Sequence, residues 1–182
     1  GSMYPEVLRE HIQKMKKATD KPWGVNVPLL YPDIEDLMKV LVEEKVQIVF
    51  TSAGNPAKWT PYLKEHGMTV AHVIANSKLA RKCEEAGVDA IVAEGFEAGG
   101  HEGREETTTF TLIPLVRQAT DLPLLAAGGV GSGRHLLAAQ ALGAEGVQIG
   151  SLFALSAESS GHQKFKEQAI SAKEGDTMLT LK

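Results

Sequence analysis

Six short runs of apolar, β-branched-rich residues recur along the chain, and each is followed by a segment with helical spacing. The runs lie at 24–27, 46–51, 69–74, 90–94, 124–127 and 146–150. They are nearly continuous in apolar character instead of alternating. Strands of a parallel sheet covered on both faces have that character, because neither face meets water. The segments between them, 34–44, 57–66, 77–86, 111–119 and 133–142, carry polar residues on one face and apolar residues on the other. Gly67, Gly87 and Gly143 each follow a helical pattern and precede a strand, where glycine supplies a left-handed helix stop. Asp33 and Ser77 are the expected N-caps. A further helix is expected over 5–19, before the first strand, and a polar one over 159–173, after a segment at 153–158.

Two phrases repeat one logic: Glu85-Ala86-Gly87-Val88-Asp89-Ala90-Ile91-Val92 and Ala141-Leu142-Gly143-Ala144-Glu145-Gly146-Val147-Gln148. Each reads as helix end, glycine, acidic residue, buried strand. A repeated βα unit of this kind suggests a (β/α) barrel, and an open doubly wound sheet would give the same alternation. No linker, low-complexity tract or domain boundary interrupts it, so residues 1–182 are expected to form one domain.

Composition narrows the class. Hydrophobic residues make up 43% and charged residues 23%, and the net charge is −4 with no run of five like charges. Neither nucleic acid nor a membrane surface is expected as the main partner. A single cysteine, Cys83, cannot form an internal disulfide, and it falls on a helix where packing is its expected role. A cytoplasmic location is expected, since no apolar stretch approaches the length of a membrane span.

In parallel βα architectures the chemistry lies at the carboxyl ends of the strands. There the sequence collects Asn26, then Ser52-Ala53-Gly54-Asn55, then Glu94-Gly95 with Glu97-Ala98-Gly99-Gly100-His101 following, then Gly128-Gly129, then Gln148, Gly150 and Ser151. Gly128-Gly129-Val130-Gly131-Ser132-Gly133 sits between a strand and a helix. Its bare backbone suits a phosphate, and the plainer reading is a tight turn. Gly150-Ser151 adds a second donor pair in the next loop. His101, between glycines in a polar loop, is either an acid/base or a solvent-exposed histidine. His72, inside an apolar strand, is expected to be a hydrogen-bonded core residue, and His11, His66, His135 and His162 to be surface positions on helices. Glu94 and Glu97 form a candidate acid–base pair, although aromatics at 5% argue against a sugar site. Glu102, Arg104, Glu105 and Glu106 read as a solvated loop or lid, and no His/Cys/Asp/Glu set has metal-ligand spacing.

Gly24-Val25-Asn26-Val27, Thr51-Ser52-Ala53-Gly54-Asn55-Pro56, Ala93-Glu94-Gly95-Phe96-Glu97-Ala98-Gly99-Gly100-His101, Ala126-Ala127-Gly128-Gly129 and Val147-Gln148-Ile149-Gly150-Ser151 occur in this order. Together they resemble the nitronate monooxygenase/enoyl-acyl-carrier-protein reductase II superfamily. The resemblance implies an FMN-dependent TIM-like barrel in which Asn26, Glu94, Gly99, Gly128, Gly129, Gln148, Gly150 and Ser151 contact FMN. The glycines and Ser151 would hold its phosphate, and His101 would be the catalytic acid/base. Within the family, Glu94, Glu102 after His101, Thr107-Thr108, Glu158, His162 and Lys166 resemble the reductases. Those use NADH or NADPH to reduce an enoyl thioester on acyl carrier protein, and a homodimer is an expected assembly. The alternative is oxidation of nitronates with O₂. A full barrel needs eight strands, so the resemblance also implies that the first two strands and a C-terminal extension lie outside these 182 residues.

Overall fold

The computed structural model describes residues 3–101 and 103–179. Helix α1 (Pro5–Ala18) leads into β1 (Gly24–Pro28), α2 (Ile34–Glu43), β2 (Ile48–Ser52), α3 (Pro56–Glu65), β3 (Thr69–Ile74) and α4 (Lys78–Ala86). Then come β4 (Ala90–Glu94), α5 (Thr109–Ala119), β5 (Leu124–Ala127), α6 (Gly133–Ala141), β6 (Gly146–Gln148), α7 (Ser151–Ala154) and α8 (Gln163–Ser171). All six strands are parallel and follow one another in the order β1-β2-β3-β4-β5-β6. The order never reverses, so the sheet has no topological switch point. That rules out the doubly wound alternative and leaves six consecutive strands of a (β/α) barrel.

Register and side-chain alternation divide the sheet into two faces. Val25, Val27, Val49, Val70, Ile74, Ile91, Ala93, Leu124 and Ala126 are buried on the helix-covered face. They form one core with Leu37, Met38 and Leu41 of α2, Leu63 of α3, and Leu112, Ile113 and Val116 of α5. The other face is the barrel lining. It carries Asn26, Ile48, Phe50, Val73, Leu125, Glu94 and Gln148, all exposed or half-buried. β1 and β6 are the free edges of the arc. An open cavity of about 270 Å³ lies along β1, lined by Met3, His11, Met15, Trp23, Asn26 and their neighbours.

The repeated phrase has a physical meaning. Asp89 Oδ2 accepts from the second amide of β3, Val70 N, at 2.7 Å, and Lys64 of α3 reaches Asp89 Oδ1 at 2.5 Å. Glu145 Oε2 accepts from the first amide of β5, Leu124 N, at 2.7 Å, and Arg117 of α5 reaches Glu145 Oε1 at 3.0 Å. Each acid thus joins the start of the neighbouring strand to the helix before it.

Several boundaries differ from the sequence pattern. Val46 and Gln47 precede β2 instead of opening it, because Val46 N still bonds Leu41 O and closes the end of α2. β6 stops at Gln148, two residues early. Helix α5 starts two residues early, at Thr109. The expected segment at 153–158 and polar helix over 159–173 are instead α7 and the shorter α8. Ser77 and Asp33 stand at N-cap positions, yet neither side chain caps. Asn76 Oδ1 accepts from Leu79 N instead, at 3.1 Å. Gly67, Gly87 and Gly143 do adopt positive φ, at 75°, 79° and 107°.

Helix α1 is fastened to α2 by charge. Glu44 accepts from Lys16, Arg9 and Gln13, at 2.7, 3.2 and 3.0 Å. The Lys16 ammonium, then Gln13 and Arg9, hold the Glu44 carboxyl down to about 2.

Candidate functional site

Three loops at the carboxyl ends of β4, β5 and β6 meet. A Cβ built on Gly99 would lie 4.0 Å from Ser151 Oγ, so the β4 and β6 loops adjoin. A Cβ on Gly129 would lie 3.2 Å from Glu97 Cβ, which joins the β5 loop to the β4 loop. Glu94 pairs in register with Ala127, and Ala127 with Gln148. By alternation the Glu94 and Gln148 side chains both face the lining at one level. Gly99, Gly128, Gly129, Gln148, Gly150, Ser151 and Glu94 therefore share one region of the mouth. His101 lies exposed on the same β4 loop. Asn26 is also on the lining face, but on edge strand β1, three strands from β4. Glu102 lies outside the described residues.

Local packing explains much of this loop cluster. Gly128 has φ +97°, and a Cβ there would come within 2.6 Å of the Gly95 carbonyl oxygen and 3.1 Å of Ala98 N. Backbone approaches backbone here, so no side chain fits. Thr109, the first residue of α5, sits beneath both loops. Its hydroxyl lies 3.0 Å from Gly128 O and 3.0 Å from Glu97 Oε2, and its amide donates to the same carboxylate oxygen at 2.8 Å. Glu97 thus caps α5 from outside the helix. That corrects the candidate Glu94–Glu97 acid–base pair: Glu97 is committed to holding the loop.

The phosphate-type loop is also partly used internally. Ser132 caps α6 through His135 N, at 3.4 Å, and the Gly131 amide donates to His135 Nδ1 at 2.9 Å. His135 is exposed, as its helical position predicts, but it also serves as an acceptor for the loop. A Cβ on Gly131, Gly133 or Gly150 would meet nothing within 4 Å, so these backbone segments border open space. An oxyanion fits such a cradle of bare peptide and the Ser151 hydroxyl.

His72 is buried as expected. Its Nδ1 lies 2.7 Å from Thr51 Oγ1, and burial pushes the imidazole down to about 4 against an opposing hydrogen bond to the Gly54 backbone. The ring is thus held between the Thr51 hydroxyl of β2 and the Gly54 backbone of the loop that follows it. This contact steadies the β2 loop at the mouth. Asn55, grouped with the mouth polar residues from sequence, caps α3 instead by accepting from Ala57 N at 3.1 Å. Cys83 is fully buried, and burial, with Glu84 nearby, pushes its thiol up to about 12, so it is a packing residue. Among the described residues, no cluster of three or more His, Cys, Asp or Glu could hold a metal ion. No helix among them is long and apolar enough to cross a membrane.

A parallel arc whose strand-end loops bring bare backbone and a hydroxyl together defines the class of (β/α)-barrel proteins with a site at the barrel mouth. The chain belongs to the nitronate monooxygenase family, whose model matches residues 36–182. It is 36% identical to the (3aS,4S,5R,7aS)-5-hydroxy-7a-methyl-1-oxo-octahydro-1H-indene-4-carboxyl-CoA dehydrogenase of Rhodococcus jostii, over 96% of this chain and 49% of that protein. To a "Probable nitronate monooxygenase" of Staphylococcus saprophyticus it is 31% identical, over 94% of this chain and 52% of that protein. The solved structure of FabK from Thermotoga maritima superposes with a TM-score of 0.94 at 48% identity, covering 99% of this chain and 57% of that one. Nitroalkane oxidase from Streptomyces ansochromogenes gives 0.85 at 26% identity, covering 92% of this chain and 60% of that one. The chain spans about half the length of the curated relatives it matches first.

Proposed function

We propose that this chain forms part of an FMN-dependent oxidoreductase that reduces the enoyl double bond of acyl-carrier-protein thioesters with NADH or NADPH. The observation that carries the proposal is the convergence of the Gly99, Gly128–Gly129 and Gly150–Ser151 backbone at one mouth. In this reading those glycines and Ser151 hold the FMN phosphate, and Asn26, Glu94 and Gln148 face the flavin from the lining. Bound FMN supplies two-electron redox chemistry between the nicotinamide and the substrate β-carbon. His101 delivers the single proton, to the α-carbon, while the hydride equivalent goes to the β-carbon, so that enoyl thioester, NAD(P)H and H⁺ become acyl thioester and NAD(P)⁺.

The reductase reading is supported by 48% identity to FabK across nearly the whole chain, against 26% to nitroalkane oxidase. Glu94 and the Glu102 that follows His101 favour it too. A relative named as a carboxyl-CoA dehydrogenase adds a second thioester-handling member. Nitronate oxidation is the competing reading, supported by the matching family model and the Staphylococcus relative.

Full-length protein should oxidise NADH or NADPH in the presence of a crotonyl or longer enoyl thioester and take up little O₂ with an alkyl nitronate; the reverse pattern selects the monooxygenase. His101→Ala should lose roughly 10²–10⁴-fold in turnover, the range of a general acid, while retaining FMN absorbance. Unchanged turnover would remove His101 from the chemistry.

A further inference from the structure

Lys166 is the only buried lysine among the described residues, at 7% exposure. It is also the only buried residue of α8, and α7 buries none. The large apolar side chains of this helix pair point outward: Leu152, Phe153, Phe165 and Ile170 are 53%, 64%, 56% and 69% exposed. The centre of the α7–α8 hairpin is therefore an ammonium group, not an apolar cluster. Lys166 Nζ donates to Ser159 O at 2.6 Å, Ser156 O at 2.8 Å and Ala157 O at 3.4 Å. Three N–H donors meet three carbonyls, which satisfies the buried charge without a carboxylate.

The carbonyl cluster is linked through backbone to the mouth. Ala154 N bonds Gly150 O, Leu155 N bonds Ser151 O, Ser156 N bonds Phe153 O and Ser159 N bonds Ser156 O. This hydrogen-bonded run starts at Gly150–Ser151 and ends on the ammonium. Three converging carbonyls with a lysine stem threaded beside Gly161, whose Cβ position lies 3.6 Å from Lys166 Cε, amount to a built cation cage.

We propose that the carbonyls of Ser156, Ala157 and Ser159 form a monovalent-cation site filled by the Lys166 ammonium, and that Lys166 is thereby a positioning residue for the Gly150–Ser151 backbone. The positioning clause rests on the phosphate role proposed for that backbone. Because the cage recognises an ammonium ion, free ammonium can replace the side chain once it is shortened.

The test uses full-length protein stripped of flavin, with hydrogen exchange read at amides 150–160. Lys166→Met and Lys166→Ala should each exchange about tenfold faster there than wild type, as expected when a charged hydrogen-bond hub is lost. Ammonium chloride should slow exchange in Lys166→Ala, whereas tetramethylammonium chloride at equal ionic strength should not. Lys164→Met, at an exposed neighbouring position, should match wild type. FMN affinity, read by quenching of flavin fluorescence, should fall in Lys166→Ala and recover with ammonium. Unchanged exchange in Lys166→Met, or equal response to the two cations, overturns the cation site. Altered exchange with unaltered FMN affinity overturns the positioning role. Wild-type protein that binds no FMN overturns the functional reading and the positioning clause with it, while exchange still decides the cage. Should Lys166→Ala not fold, Lys166→Met retains the apolar stem for the exchange comparison.

Discussion

At the scale of single residues, the mouth is built by side chains that bind backbone instead of substrate. Glu97, Asn76, Asn55 and Thr109 all cap or latch helix starts. His72 does the same for the β2 loop, and its buried neutral ring makes stability depend on pH. The folded-state value is about 4 and the unfolded one about 6.5. Between them the unfolded chain binds a proton that the folded chain refuses, so stability falls as pH drops through this window. Integrated from pH 7 to pH 5, the loss is about 2 kcal/mol. Glu44 acts lower: its carboxyl titrates at about 2 when folded, so its contribution is present above the ordinary carboxylate range and is lost as pH falls towards 2. Urea-unfolding midpoints measured at pH 7 and pH 5 should differ accordingly in wild type and much less in His72→Gln. A midpoint equally pH-dependent in that variant would show that another group carries the effect.

At the scale of elements, the sequence is informative wherever spacing and burial agree. The six strands are legible because continuous apolar runs fit a sheet covered by helices on one side and closed into a barrel on the other. The glycine stops are legible because left-handed backbone excludes most side chains. Caps are less so. Glu97 lies twelve residues before the amide it caps, and nothing local in the sequence marks a carboxylate that acts across a loop. Asn55 reads as a mouth polar residue until the helix amide it accepts from is seen. The repeated acids are the opposite case: their repetition is visible in sequence, and their task only in structure. Asp89→Ala and Glu145→Ala each leave an amide in the first two residues of a strand without its acceptor, a cost of about 1–2 kcal/mol each. Both acids lie at the amino ends of strands, the stability face of such barrels. Thermal unfolding of the full-length variants should register the loss, with turnover within twofold of wild type. A large fall in turnover would mean that the two faces are coupled.

At the scale of the whole molecule, six strands make an arc with two unpaired edges. Ile48, Phe50, Val73 and Leu125 line its concave side without being fully covered. Leu136 and Leu137 on α6 stand 37% and 68% exposed. An eight-stranded barrel would pair both edges and cover the lining. We therefore expect a polypeptide of these 182 residues alone to bind FMN weakly, and a polypeptide that supplies two further strands to restore tight binding. Absorbance in the flavin band after purification measures this. Stoichiometric FMN on a monomer of 182 residues would show that the arc suffices. The resemblance in the motifs reaches the family from sequence, because the mouth segments keep their order. The cation cage is not legible that way, since three carbonyls leave no mark on residue identity.

The latch at Thr109 ties two jobs together. One hydroxyl and one amide hold both the segment that presents His101 and the turn that begins with Gly128. Anyone transplanting a foreign β4–α5 loop to change substrate preference would also be editing the neighbouring glycine turn. Such chimaeras should succeed only when the donor loop brings its own carboxylate for Thr109.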